Sequence, residues 1–532
     1  MIISELVNKK SLYTMKLKSL FLTSGLTMFL FTSCYEDKGN YNYDTMAQVT
    51  LDVASGKSIQ MGGTLRLEAN VQTDVPDEDL RYEWQLYRSS GFTTIAEEKS
   101  VDYMFAGNYF PTPGNYELRL KALQQSTGLE FYSNVFLVRL TGVTGLLVLH
   151  GNDRESDIGL LVANDFLASE NSVETQNVPD WYSMTNNGQK IPGQGKQVIH
   201  LLCDGLPSNN PKRAYVAALT TQGGILADYS GLTYVGEYTD LFYGGIKNPA
   251  PQRFTVHDDQ EVLVDNGRLY VCNNVAMNKF YLNPMQGLYD DSSFSPYVVP
   301  FQNYSYVQEK VIAYDNTHEC FTYWDTDWTK EFPLSISTPG KAFDMGNMNA
   351  QLVYMDQGGR LSHWMAVMKE AEGNYFLAEM DFTAAVVTDI PVARYELSSQ
   401  TDFANARFHA FGDNQINMCY YATPSAVYRY SAGNGTCSAA ERLTTTDGTE
   451  LDFPGEITLM KILKPYRLTA DYNTGVSDFS YWNYNKIMLV ATWDGSAGTL
   501  YALHLEETTG LVSQTDVYRG FGKIYDANIK GL

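Results

Sequence analysis

GLLVLHGNDRESDIGLLVAN, residues 145–164, decides the fold of this chain. Two apolar runs flank a turn rich in Asn, Asp and Gly, which predicts a pair of short buried strands. Six comparable phrases follow, each an apolar strand, a polar turn and an aromatic-rich strand. They are AYVAALTTQGGILADYS (214–230), EVLVDNGRLYVCNN (261–274), KVIAYDNTHECFTYWD (310–325), QLVYMDQGGRLSHWMAVM (351–368), ARFHAFGDNQINMCYYATPSAVYRYS (406–431) and KIMLVATWDGSAGTLYALHLE (486–506).

The spacing of these phrases, roughly 45 to 80 residues, is close to the length of one propeller blade with some long insertions. A small sheet cannot bury both of its faces alone, so radial repetition around a channel is the natural closure. The count predicts a β-propeller of about seven blades over residues 142–532, in which YRGFGKIYDANI (518–529) pairs with the opening strand. A pair of large β-sandwiches is the alternative. Either way, 38 Tyr and 25 Phe in a chain that is only 19% charged favour an all-β protein.

The segment 46–141 predicts a separate small β-sandwich. TLRLEANVQT (64–73) and LRYEWQLYRS (80–89) alternate apolar and polar residues, with turn residues between such runs. Trp84 lies on one of these strands and is expected to fill the core rather than to bind a ligand. Because the segment offers no catalytic group, we expect it to act as a spacer.

The N-terminus predicts export and lipidation. Basic residues precede an apolar run that ends in FLFTSCYEDKG (29–39), the order of a signal peptide, and the run is too short to span a membrane. We assign 1–33 to the signal peptide, with 1–14 upstream of the true start at Met15, and 34–45 to a linker that begins at a lipidated Cys34. The residues around Cys34 resemble a bacterial lipobox; a plain signal peptide is the alternative.

Two further signals carry a resemblance to a known family. YEWQLY (82–87) and PTPGNYELRLKAL (111–123) resemble the PKD version of the immunoglobulin-like fold, without the Gly-Asp-Gly that often follows its tryptophan strand. Together with SCYEDKGNYNYD (33–44), they make the whole chain resemble the PKD-like surface lipoproteins that accompany SusC/SusD-type, TonB-dependent importers. The resemblance implies a lipid anchor on the outer face of a Gram-negative outer membrane, and ligand capture or assembly with an importer.

Composition excludes several other functions. A net charge of −23 would repel nucleic acid. After Cys34, five cysteines with irregular spacing form neither a complete disulfide framework nor a zinc site, and we expect at least three of them to be buried: Cys203, Cys272, Cys320, Cys419 and Cys437. No cofactor is predicted.

No catalytic or metal-binding residue stands out. The seven histidines are scattered and are expected to be structural: His150, His200, His257, His318, His363, His409 and His504. There is no G-x-S-x-G elbow. Carboxylates such as Asp165, Glu319, Asp325 and Asp327 could hydrolyse a glycoside, but with 61 acidic residues no pattern singles them out.

Aromatic residues in polar, turn-rich stretches give the candidate ligand site. PDWYSMTNNGQKIPGQGKQ (179–197) carries Trp181 and Tyr182, and YWDTDWTKEF (323–332) carries Trp324 and Trp328. Flat rings beside amides and carboxylates suit sugars and peptide side chains. The alternative is that these rings cap the edges of blades.

These observations lead to three hypotheses. The first is a surface protein that binds a glycan or an oligopeptide for a partner importer. The second is a propeller glycoside hydrolase or lyase, which a cluster of carboxylates or a Tyr-Arg-His set in the channel would favour. The third is a structural importer subunit, which a featureless channel and an apolar outer patch would favour.

Overall fold

Strands dominate the chain, which confirms the all-β prediction. The computed structural model describes residues 47–54, 56–105, 109–110, 113–142, 144–167, 174–201, 215–257, 260–273, 283–299, 310–325, 333–359, 363–384, 386–413, 416–464 and 482–530. Cys34 and the predicted signal peptide lie outside them. The described part contains one short α-helix, Trp181–Thr185, and a few 3-10 turns. Within it, no helix has the length and hydropathy that crossing a membrane would require.

The first nine strands build two sheets. They are β1 (Val49–Val53), β2 (Lys57–Gln60), β3 (Thr64–Thr73), β4 (Leu80–Arg88), β5 (Gly91–Ala96), β6 (Ser100–Met104), β7 (Gly114–Gln124), β8 (Glu130–Tyr132) and β9 (Phe136–Thr141). One sheet has the order β1-β3-β6, and the other has the order β2-β9-β7-β4-β5 with β8 beside β7. Burial alternates along β7 and β9, because one face of the sheet packs on the core and the other faces water.

Trp84 lies in the core of this sandwich, as predicted. Its side chain is fully buried, and its ring meets Phe136 edge to face with centroids 6.1 Å apart. The indole N–H donates to the carbonyl of Glu98 at 2.8 Å. The ring therefore contributes apolar burial without leaving its one polar group unpaired.

The remaining strands lie in seven antiparallel sheets, described in chain order. The first three contain β10 (Gly145–Gly151), β11 (Glu155–Val162), β12 (Gln176–Val178) and β13 (Ile191–Pro192); β14 (Gly195–Leu201), β15 (Tyr215–Thr220), β16 (Gly223–Asp228) and β17 (Tyr234–Glu237); and β18 (Pro251–His257), β19 (Gln260–Asp265) and β20 (Arg268–Asn273). The fourth and fifth contain β21 (Phe294–Val299), β22 (Lys310–Asp315), β23 (Cys320–Asp325) and β24 (Pro333–Ser335); and β25 (Ala350–Gln357), β26 (His363–Glu370), β27 (Tyr375–Asp381) and β28 (Pro391–Glu396).

The sixth and seventh sheets follow the same plan. They contain β29 (Phe408–Phe411), β30 (Cys419–Ala422), β31 (Val427–Tyr430) and, after a separate hairpin of β32 (Ala432–Gly433) and β33 (Thr436–Cys437), β34 (Glu441–Arg442); and β35 (Glu456–Ile462), β36 (Ile487–Trp493), β37 (Gly498–Leu505) and β38 (Val512–Phe521). The seven phrases read from the sequence fall in seven different sheets.

The last strand, β39 (Lys523–Lys530), returns to the first sheet. It pairs antiparallel with β10, from Gly145 opposite Lys530 to Gly151 opposite Lys523. This confirms the predicted pairing of the C-terminal segment with the opening strand. The order of the first sheet is therefore β39-β10-β11-β12, with β13 beside β11.

Consecutive sheets pack against each other through their faces. We call β39, β14, β18, β21, β25, β29 and β35 the first strands; each contacts the next in this order, and β35 also contacts β39. One apolar core joins the seventh sheet to the first, with Leu489 and Leu500 packed among Leu146 and Val148. Because both faces of an inner sheet are covered, strands such as β15 are buried at every residue.

The described cysteines are free thiols. Cys272, Cys320 and Cys419 are buried and Cys437 is half-buried, which confirms the expectation of at least three buried cysteines. Cys203 lies outside the described residues. Burial raises the pKa of the Cys437 thiol to about 11, so it stays protonated and unreactive at neutral pH.

Candidate ligand-binding cavity

A cavity of about 320 Å³ lies where the first strands come together. Each of the seven first strands contributes to its wall, from Lys196 on β14 to Asp526 on β39. We call it the first-strand cavity. Its volume is at the lower end of the range of pockets that bind small molecules, about 300 to 1,000 Å³. Because it collects side chains from seven separate segments, it is the candidate functional site.

Six of the seven first strands are irregular in the described residues. The register to the neighbouring strand shifts in β14, β18, β21, β25, β35 and β39, whereas β29 pairs without a shift. In β18 the shift lies between Pro251 and Arg253, and in β25 it lies between Leu352 and Tyr354. Such a bulge adds a residue and re-aims the side chains beside it. The shifts therefore break the simple in-out alternation where Arg253 and Tyr354 reach the cavity.

The wall of the cavity is basic, although the protein as a whole has a net charge of −23. It carries five cationic side chains and two carboxylates, namely Lys196, Arg253, Arg407, Lys461, Lys464, Asp356 and Asp526. A concave site of one sign between protein walls concentrates ligands of the opposite sign. The cavity therefore favours anionic groups that the outer surface repels.

Both oxygens of the Asp526 carboxylate already have partners. Oδ1 accepts a hydrogen bond from the Lys461 ammonium at 3.0 Å, and Oδ2 accepts one from the backbone N–H of Val198 at 3.0 Å. The side chain thus links three first strands, β39, β35 and β14. It offers little free negative charge to a ligand.

Asp356 is neutralised in the same way. Its Oδ2 lies 2.9 Å from the Lys464 ammonium, and its Oδ1 accepts the backbone N–H of Gln357 at 2.8 Å. Lys464 also donates to the carbonyl of Phe411 at 2.9 Å and to that of Gln357. The lysine and the carboxylate therefore satisfy each other.

Arg253 differs from these paired groups. Its side chain is exposed to the cavity, and its guanidinium carbon lies 5.4 Å from the centroid of the Tyr297 ring. Within the described part of the chain, the guanidinium makes no hydrogen bond and no salt bridge. Burial opposes its charge, but Tyr297, Tyr354 and the two aspartates raise the pKa of Arg253 overall. It is a permanent cation that has a ring contact and no anion bonded to it.

Two tyrosines line the wall beside Arg253. The rings of Tyr297 and Tyr354 meet edge to face, with centroids 5.1 Å apart and planes at 69°. Burial is the main cause that raises the pKa of Tyr297, so its hydroxyl stays protonated at neutral pH. The pair gives the cavity an apolar surface next to a cation.

Two histidines in the wall are neutral. Burial lowers the pKa of His200 to about 3, with a smaller effect of Lys530, and burial lowers the pKa of His409 to about 4. His200 stacks on Tyr229, with ring centroids 4.3 Å apart. At neutral pH neither imidazole is charged, so the positive charge of the wall comes from lysine and arginine.

A second cluster lies between the seventh sheet and the turn after β11. His504 Nε2 is 2.9 Å from Asp516 Oδ2 and 3.4 Å from Asp165 Oδ2. Burial lowers the pKa of His504, but both carboxylates raise it, and the net shift is upward. Among the described residues, this is the only group of three or more His, Cys, Asp or Glu placed to hold a metal ion. An imidazolium between two carboxylates accounts for the same geometry.

The aromatic residues predicted to bind ligand lie elsewhere. Trp181 and Tyr182 belong to the short helix and are buried, and the Lys530 ammonium lies 5.6 Å from the Trp181 ring centroid. Trp324 is fully buried, and its indole N–H donates to the carbonyl of Gln286 at 2.9 Å. None of these three rings is open to a ligand in this structure. Trp328 lies outside the described residues.

The sequence interpretation missed the cavity residues because it read the second and third strands of most sheets. Those strands are apolar and regular, whereas the first strands carry bulges and charges that blur the period. The only local signal was a charged residue within a strand-like run, as in PQRFTVH around Arg253. Charge in a strand that is covered on both sides is a marker worth testing in such folds.

Comparison with known families matches one part of the chain. Residues 34–195 match the model of the PKD-like family. The match covers the sandwich, runs through the first of the seven sheets and ends at the beginning of β14. No curated protein matches the sequence.

Two solved structures are similar to the chain at low identity. The WD40 domain of SCAP from fission yeast has 8% identity and a TM-score of 0.31, and the match covers 61% of this chain and 73% of that one. The AfRom2 CNH domain has 9% identity and a TM-score of 0.35, and the match covers 69% of this chain and 97% of that one.

Proposed function

We propose that this protein is a lipid-anchored binding protein of the bacterial outer surface, whose seven sheets form a β-propeller with a small ligand in the first-strand cavity. Cys34 would carry the anchor, residues 46–141 would act as the spacer, and residues 142–532 would form the propeller. The binding protein would deliver its ligand to a SusC/SusD-type importer, or assemble with one.

The propeller is supported by the contacts between sheets. The first strands follow one another in contact, and the seventh sheet packs on the first through a shared apolar core. The pairing of β39 with β10 joins the two ends of the array within one sheet. Joining the first sheet through the C-terminal strand is how radial β-folds protect their edges.

One observation carries the binding function. The first-strand cavity combines an exposed arginine, an aromatic pair and polar groups from seven segments. Ligand pockets commonly pair apolar walls with a few convergent polar groups. A purely structural subunit has no use for a cation in such a place, because an enclosed charge without a bonded partner costs stability.

The partner importer is tested by a pull-down from detergent-solubilised outer membranes. The full-length lipidated protein is used as bait, and co-purifying proteins and bound small molecules are identified by mass spectrometry. Recovery of an importer together with a carried-over small molecule supports capture and delivery. Recovery of an importer without ligand would favour the structural subunit, and recovery of neither would contradict both roles.

The anchor is tested with a Cys34→Ala variant. Radiolabelled palmitate should label the wild type and not the variant, and protease added to intact cells should digest the anchored protein. A wild type that remains unlabelled would contradict lipidation. A labelled protein that the protease does not reach would contradict the outward orientation.

A hydrolase or lyase is the second candidate, because Arg253, Tyr297, Tyr354 and His409 line one cavity. These are the residue types of a Tyr-Arg-His set. Burial, however, lowers the pKa of His409 to about 4 and raises that of Tyr297, so the first is a weak base and the second a weak acid. We therefore place binding first. Release of unsaturated or reducing-end products from an acidic polysaccharide, lost in a Tyr297→Phe variant, would reverse this order.

A further inference from the structure

We infer that the ligand of the first-strand cavity is a small anionic sugar whose acid group pairs with Arg253. This inference rests on the proposed function and names the class of ligand. It follows from the charges of the wall, the aromatic pair and the size of the cavity.

The charges of the wall leave Arg253 as the surplus cation. Asp526 is held by Lys461 and Asp356 by Lys464, each pair within about one hydrogen-bond length. Arg407 forms its own salt bridge, with Glu456. A ligand without an acid group would leave the guanidinium with no bonded anion.

The chemistry of arginine selects the acid group. A guanidinium presents paired N–H donors in a rigid plane that matches a carboxylate or a phosphate. Arg253 sits on β18, a strand of the fold rather than a flexible loop, so its donors are held in place. A charge-assisted pair at this position fixes the orientation of the ligand.

The aromatic pair selects a sugar. Tyr297 and Tyr354 present ring surface beside the cation, and Thr255 and Asn528 add polar groups to the same wall. Sugar rings have apolar C–H faces and hydroxyl edges, and they suit such a mixed surface. A cavity of about 320 Å³ has room for only a small ligand, so we expect one or two sugar rings.

The inference is tested by calorimetric titration of the full-length protein in detergent. The probes are digalacturonate, its uncharged methyl ester, glucose 6-phosphate and a neutral disaccharide. The variants are Arg253→Gln, Arg253→Lys and, as matched control, Arg407→Gln, which removes an equal charge from a guanidinium that already has a carboxylate partner.

We expect an acidic probe to bind and the neutral probes to bind at least tenfold more weakly. Arg253→Gln should reduce affinity for the acid by about tenfold to a hundredfold, and Arg253→Lys by less, because lysine keeps the charge but not the planar donor pair. Arg407→Gln should change affinity by less than about threefold. Preference for digalacturonate or for glucose 6-phosphate identifies the acid as a carboxylate or a phosphate.

Two results would overturn the inference. If the neutral probes bind as tightly as the acids, or if Arg253→Gln binds an acid as tightly as the wild type, the ligand is not held through its charge; in that case the cavity can still bind a ligand and the proposed function stands. If no acidic probe binds at millimolar concentration, the inference is wrong. The proposed function is then decided independently by the small molecules found in the pull-down.

Discussion

The sandwich and the seven sheets bury their strands in different ways. Strands of the sandwich such as β7 alternate between a core face and a solvent face, so a charged residue there has a ready place in water. Strands of the seven sheets such as β15 are covered on both sides and have no such place. A charge within a covered strand must face a cavity or a partner. The difference shows why the charges on the first strands report on function and those of the sandwich do not.

The largest effect is expected from an Ile524→Asp variant. Ile524 is fully buried on β39, in the core that joins the seventh sheet to the first. Burying an unpaired carboxylate there should lower the free energy of unfolding by more than about 4 kcal/mol. Urea denaturation followed by near-ultraviolet circular dichroism measures the change.

The matched control is Val517→Asp on β38, whose side chain is 37% exposed. It should cost less than about 1 kcal/mol. If Ile524→Asp is no more destabilised than this control, β39 is not part of a common core, and the contrast between covered and half-covered strands fails at the place where it is strongest.

The sandwich is probed by a Trp84→Ala variant. Loss of this fully buried ring should cost about 3 to 5 kcal/mol, while Tyr87→Ala, on the same strand but 49% exposed, should cost less than about 1 kcal/mol. Scanning calorimetry should show that Trp84→Ala lowers one transition and leaves another in place. An equal shift of all transitions would mean that the sandwich and the seven sheets unfold together.

Much of the fold could be predicted from the sequence, because the strands that carry it are regular. The opening phrase at 145–164, the six later phrases and the pairing of the C-terminal segment all follow from apolar runs and turn residues. These runs are local, so a single pass along the chain finds them.

The site could not be predicted in the same way. Arg253, Tyr354 and Asp526 are far apart in the sequence and meet only through the arrangement of sheets. The aromatic residues chosen as a platform, such as Trp181, gain more from burial than from exposure, and a polar loop gave no sign that it would fold over one. Distance along the chain and the bulges on the first strands together account for the missed residues.

A buried lysine provides a smaller test. Lys530 is 1% exposed, and its ammonium lies 4.2 Å from the Tyr229 ring centroid. Burial lowers its pKa to about 7, with a partial offset from Asp228. Lys530→Met should therefore raise the free energy of unfolding at pH 7 by about 1 to 3 kcal/mol. Lys523→Met, on the same strand and less buried, should change it by less than about 0.5 kcal/mol.

The pH dependence gives this prediction a sign. The pKa of Lys530 is lower in the folded state than in the unfolded chain, so the unfolded chain binds more protons between about pH 7 and 10. The contribution of Lys530 to stability should rise with pH across that window, and Lys530→Met should remove it. If Lys530→Met is instead destabilising at pH 7, the aromatic rings hold the charge more strongly than burial opposes it.

The smallest effect is expected at His504, at the contact between the seventh and first sheets. Its pKa is raised in the folded state, so its contribution is complete below the unfolded value near 6.5 and is lost as pH rises through the higher folded value. Wild type should be more stable relative to His504→Gln at pH 5.5 than at pH 8.5, by less than about 1 kcal/mol. Asp165→Asn should reduce the same difference, because it removes one of the two carboxylates. Equal pH profiles for wild type and His504→Gln would show that the imidazolium does not link the two sheets, and that their apolar core does so alone.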